Sequence, residues 1–127
     1  MLTGAYLAGA AIELSMLGAT HACANPLTAR YGTTHGVAIA LLLRCVVGWN
    51  SATPAVAARY ELLASNLTER LELLAAAGQF PRGLAAAGAS KDDVEALAGD
   101  AAAQWTGTFN PRRFDASGAR EIYEMAW

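Results

Sequence analysis

Residues Gly18–Asn50 read GATHACANPLTARYGTTHGVAIALLLRCVVGWN, and this stretch decides the fold class. It holds both histidines, His21 and His35, both cysteines, Cys23 and Cys45, and the longest apolar run, Val37 to Leu43. That run is far short of the roughly 20 residues a membrane-spanning helix needs, and Arg44 closes it. Ala19 to Ala24 has helical character, with His21 and Asn25 four apart and so on one face. Asn25-Pro26 predicts a break and a fresh start, because Asn caps and Pro suits a first turn. Leu27 to Tyr31 is then a short helical piece, Gly32-Thr33-Thr34 a turn, and Thr34 the cap of a helix from His35 to about Gly48. Val37, Ala38, Leu41, Leu42, Cys45 and Val46 make that helix apolar on most faces.

Before this stretch, Thr3 to Leu17 predicts a helix apolar on nearly every side, with Glu13 its only charge. A helix of that kind is normally buried all round, so the expectation is a central helix. Gly18 is expected as its cap or as a tight contact. After the stretch, Thr53-Pro54 is a helix start. Ala55 to Ala64 is amphipathic, with Val56, Tyr60, Leu63 and Ala64 inward. Asn66 to Ala77 carries Leu67, Leu71 and Leu74 as a stripe, and Gly78 ends it before the Phe80-Pro81-Arg82 loop. Ser90-Lys91-Asp92-Asp93 has the form of a capping signature, followed by Val94, Leu97 and Ala101 at helical spacing. Trp105 to Arg113 is a loop, and Asp115 caps a last helix with Ile122, Tyr123 and Ala126. No period-2 strand, repeat or domain boundary intervenes. The prediction is a single all-α domain over residues 1–127, a multi-helix bundle.

Composition narrows the function classes. Charged residues make up 16% of the chain and apolar residues 54%, against about 25% charged in an ordinary soluble domain. The surplus of apolar surface points to a partner, another subunit included. The net charge is -2, with nine scattered Lys and Arg, which does not give the clustered basic face that nucleic acid requires. Two cysteines outside any CxxC pattern form no disulfide framework, and they read as small buried hydrophobes. The N-terminus lacks the features of a signal peptide. The expectation is a cytoplasmic chain that binds neither nucleic acid nor membrane.

On spacing alone, His21 and His35 leave two readings open. They are fourteen residues apart, one in a helix and one at the mouth of the next, so a turn can bring them together as a metal site requires. Packed or capping histidines are the other reading, and spacing alone favours it, since two ligands do not hold a metal tightly. Asp92-Asp93 reads as helix capping rather than an acid-base pair. No serine has a nucleophile-elbow context, and there is no Gly-rich dinucleotide or phosphate loop.

The same residues resemble the C-terminal helical domain of the iron-containing (group III) alcohol dehydrogenase family. Its signature G-x-x-H-A-x-x-H-x-L-x-x-x-Y-x-x-x-H-G is matched by Gly18-Ala19-Thr20-His21-Ala22, then Leu27, Tyr31 and His35-Gly36, with Asn50 further on. Phe80-Pro81-Arg82, Asn110-Pro111-Arg112 and Ile122-Tyr123 with Ala126-Trp127 extend the similarity over nearly the whole chain. The resemblance implies that His21 and His35 are two ligands of one divalent metal, usually iron and sometimes zinc. In the family that metal polarises an alcohol or aldehyde oxygen while hydride passes to or from NAD(P). Thr106 and Asn110 would then lie beside the substrate pocket.

Departures from the pattern shape the expectation. Asn25 stands where many members have a histidine placed to contact substrate or relay a proton. Arg44 and Cys45 replace a common Pro-His pair. The family's other two ligands, an Asp and a His, and its nucleotide-binding domain would fall before Met1. The expected function is therefore the metal-binding part of an NAD(P)-linked oxidoreductase of small alcohols and aldehydes, inactive alone. The alternative is a stand-alone helical module for oligomerisation or protein docking with a vestigial metal site. Homo-oligomerisation through exposed apolar helices is the expected association.

Overall fold

A computed structural model describes residues 2–127. It contains the helices α1 Leu2–Ser15, α2 Ala19–Tyr31, α3 His35–Asn50, α4 Pro54–Glu61, α5 Leu67–Ala77, α6 Val94–Ala102 and α7 Ala116–Met125. Tight turns of helix span Lys91–Asp93 and Trp105–Phe109. No strand occurs among the described residues, so the all-α expectation holds.

Helix α2 is the hub. It packs against α3, α6, α7 and the Trp105–Phe109 turn. Its Ala19, Ala22, Cys23 and Ala24 are fully buried, and side chains this small let several neighbours approach closely. The neighbours bring larger groups: Leu41, Leu42 and Val46 from α3, Leu97 from α6, Ile122 and Tyr123 from α7. Tyr123 reaches back across the core, its hydroxyl donating to the Cys23 carbonyl at 2.7 Å. Both cysteines are buried and unpaired. Burial pushes the Cys23 thiol up to about 12, against a smaller opposing effect of the Tyr123 hydrogen bond, and burial also raises Cys45. They are core residues, as their type and position predict.

Several expectations need correction. Helix α1 is not central, since none of its residues is buried and Leu14 is 91% exposed. A helix apolar all round needs neighbours all round, and the described residues supply none. It leaves α2 at 105° through Met16, which has a left-handed φ of 60°. Pro26 does not break the chain but lies inside a continuous α2. A proline there forgoes one backbone hydrogen bond, and the burial of both faces around it holds the helix together. Helix α4 stops at Glu61, and Leu63 is 71% exposed rather than inward. Leu67 and Leu71 are half-buried while Leu74 is exposed.

Capping is mixed. The Asp115 carboxylate accepts from the Gly118 N–H at 3.0 Å, as expected. Thr34, Thr53 and Ser90 occupy cap positions without a side-chain capping bond. Asp93 is drawn away by a long-range partner instead: its carboxylate accepts from the Tyr31 hydroxyl and pairs with Arg30 at 3.3 Å. No single described helix is long and apolar enough to cross a membrane.

Gly118 lets α7 lie directly against the Trp49 ring, and a Cβ there would sit 2.5 Å from Trp49 Cζ2. Gly118→Ala gains helix propensity of about 0.5–1 kcal/mol but overpacks this contact at about 1–3 kcal/mol. The expected result is a lower urea midpoint with an unchanged slope. A midpoint equal to or above that of the parent would show that Trp49 yields freely.

Candidate metal centre

The two histidines sit in the opening turns of consecutive helices. Helix α2 begins as the Gly18 carbonyl accepts from His21 N–H at 3.1 Å and Ala22 N–H at 3.2 Å. It ends at Gly32, whose φ of 66° is left-handed and whose N–H donates to the Thr28 carbonyl at 3.1 Å. Glycine is the residue that adopts this cap without steric cost. The Thr34 carbonyl then accepts from Val37 and Ala38 at 2.9 and 3.0 Å, opening α3 with His35 as its first residue.

This arrangement brings the imidazole centroids to 5.4 Å, with the rings tilted by 45°. His21 is half-buried and His35 exposed. The pKa of His21 is lowered, first by desolvation and second by the nearby His35. Both effects favour the neutral imidazole, the form that ligates metal. Two imidazoles on one tetrahedral cation, with nitrogen–metal bonds of about 2.0–2.1 Å, place their centroids roughly 5.3 Å apart. The observed pair fits that requirement. Among the described residues, no group of three His, Cys, Asp or Glu side chains converges to complete the shell.

A second segment runs beside these turns. From Gln104 to Asn110 the chain tracks α2 in the reverse direction. Asn25 Nδ2 donates to Gln104 Oε1 at 3.0 Å, Gly107 abuts Ala22, and Asn110 Oδ1 accepts from the Ala19 N–H at 3.2 Å. Thr106 is buried here with its hydroxyl unpartnered. Asn110 also exchanges amide hydrogen bonds with the buried Asn50, at 2.8 and 3.3 Å. Sequence reasoning missed Gln104 as the partner of Asn25, and Asn50 as the partner of Asn110. The only local signal was a polar amide inside an apolar context, and its partner lies 60 residues away.

A model of the iron-containing alcohol dehydrogenase family, C-terminal part, matches residues 1–127. The chain belongs to the iron-containing alcohol dehydrogenase family. Among relatives in that family, the 1-propanol dehydrogenase PduQ of Salmonella typhimurium is 31% identical over 144 residues. The match covers 98% of this chain and 39% of that protein. The lactaldehyde reductase of Escherichia coli K12 is 31% identical over 143 residues, covering 100% of this chain and 37% of that one. The chain thus spans less than two-fifths of the length of these relatives. The crystal structure of a 1,3-propanediol oxidoreductase superposes with a TM-score of 0.77 at 26% identity, covering 88% of this chain and 33% of that one. The helical fold is therefore that of part of a family dehydrogenase.

Asn110 holds the start of α2, and with it His21. Asn110→Ala leaves the Ala19 N–H and the Asn50 Oδ1 without partners, which costs about 1–3 kcal/mol. Faster hydrogen exchange at the Ala19 amide is the expected signature by NMR; unchanged exchange would show the clasp to be dispensable.

Proposed function

We propose that this chain is the metal-binding helical part of an NAD(P)-linked oxidoreductase interconverting a small alcohol and an aldehyde or ketone. In this reading His21 and His35 are two ligands of one divalent metal, iron or zinc. The observation that carries it is the convergence of the two imidazoles at 5.4 Å, on the motif positions of a family whose relatives are named for 1-propanol and lactaldehyde. When bound, such a metal supplies Lewis-acid polarisation of a substrate oxygen.

The chain's own residues do the positioning. His21 and His35 hold the metal through neutral ring nitrogens. Asn25, with its amide fixed by Gln104, orients a substrate oxygen by hydrogen bonding and moves no proton, because an amide does not titrate. The Thr106 hydroxyl, buried and unpartnered, lies on the segment that runs along the same side of α2. The unpaired buried thiols agree with a reducing, cytoplasmic setting. Hydride transfer requires the nicotinamide bound elsewhere in a full-length enzyme, so the 127-residue chain is inactive alone.

Calorimetric titration of the purified chain with Zn2+ and with Fe2+ tests this reading. Weak binding that either His21→Ala or His35→Ala abolishes is expected, with no oxidation of NADH or NADPH in the presence of propanal. Binding undiminished in the double variant overturns the ligand assignment, and metal-dependent turnover overturns the inactivity.

We also propose that copies associate through α1, where Leu2, Tyr6, Leu7 and Leu14 are exposed together. Light scattering should show a mass above that of the monomer that falls on Leu7→Glu/Leu14→Glu substitution. A monomer at every concentration refutes it.

A further inference from the structure

A cavity of about 280 Å3 lies between α3, α5 and the Phe80–Arg82 loop. None of its lining residues belongs to the histidine-bearing turns or to the Gln104–Asn110 segment. Its walls are apolar, with Leu41 from α3, Ala76 from α5 and Phe80 from the loop, while Arg44, Arg82 and Glu72 bring charge to it. The Phe80 wall is set by the backbone. Gln79 adopts a left-handed φ of 56°, and the Phe80 N–H donates back to the Ala75 carbonyl at 3.2 Å. A non-glycine residue held in that region costs about 1–3 kcal/mol and needs surrounding structure to keep it there.

The charges do not cancel. Two guanidiniums face one carboxylate. Arg44 touches Glu72 through a single nitrogen at 3.3 Å, which leaves most of its five N–H donors uncommitted. Arg82 makes no ion pair among the described residues. Arg44 is also one of the three residues, with Asn25 and Cys45, that depart from the family pattern, so one of the two guanidiniums is a departure of this chain.

We propose that this cavity binds a small monocarboxylate with a short hydrocarbon body, the carboxylate on Arg82 and Arg44 and the body against Leu41, Ala76 and Phe80. Size and charge both lead there. An apolar cavity of about 150 Å3 holds benzene, so this one has room for an aromatic ring and a carboxylate together. Guanidinium matches a carboxylate through parallel N–H donors, and the apolar lining disfavours a fully hydrated inorganic anion.

Benzoate is the probe, with benzyl alcohol and benzylamine as neutral and cationic counterparts of similar shape. NMR titration of the intact chain should show saturable benzoate shifts centred on Leu41, Ala75 and Ala76, with neither counterpart saturating. Arg82→Ala should weaken benzoate by about tenfold or more, as loss of a charge-assisted hydrogen bond predicts. Ala76→Phe, at an exposed position on the rim, should fill the cavity and remove binding while circular dichroism stays helical. Equal binding of benzyl alcohol, shifts elsewhere on the surface, or no saturation by benzoate overturns the proposal. Because no metal or nicotinamide enters this titration, its failure leaves the histidine reading untouched, and failure of that reading leaves this one standing.

Discussion

Everything in this structure depends on the requirement that one short helix satisfy several neighbours at once. Helix α2 is packed on by α3, α6, α7 and the Trp105–Phe109 turn, and it can be because Ala19, Ala22, Cys23 and Ala24 present almost no bulk. A Leu or Phe at any of these places would hold the partners apart. The same closeness makes polar groups expensive unless paired, and the pairing is met by long-range bonds: Tyr123 to the Cys23 carbonyl and Asn110 to the Ala19 N–H. The helix that carries His21 is thus located by residues about ninety to one hundred positions away.

That dependence explains what could be read in advance. Helix type and the buried faces of α3, α6 and α7 follow from local periodicity, and there the expectation agreed with the structure. Pro26 misled because local punctuation says break while packing on both sides says continue. Helix α1 misled for the opposite reason: its composition describes the surroundings it suits, and composition does not say whether the described chain provides them. Ser90 and Asp93 look like a capping pair from spacing alone, but Tyr31 and Arg30, some sixty residues earlier, compete for the carboxylate and hold it.

The candidate site divides along the same line. His21 and His35 were visible by motif and spacing, and the left-handed Gly32 cap with the short turn beyond it explains how they meet. The resemblance singles out Thr106, Asn110 and Asn50, but Gln104 and the bond between Asn50 and Asn110 emerge only once the Gln104–Asn110 segment is seen lying along α2. Two amides facing each other, the buried Asn50 and the half-buried Asn110, could not be paired from sequence because each looks locally like a helix end or a loop residue. The geometry that brings the two imidazoles together is local; the geometry that holds their helices in place is not.

The Tyr123–Cys23 bond has a further consequence for how the chain reaches its fold. Its partners are separated by 100 residues, and the Leu84 N–H also waits for the Ala126 carbonyl, at 2.9 Å. The hub helix is synthesised before every element that packs on it, and Tyr123 follows Cys23 by 100 residues. During translation the part of α2 that α7 covers stays open until Ala116–Met125 has emerged. Contacts this distant along the chain also slow closure, because the loop entropy is lost before the packing is gained. The nascent chain therefore passes through a stage in which the helix at the centre of its packing is only partly covered.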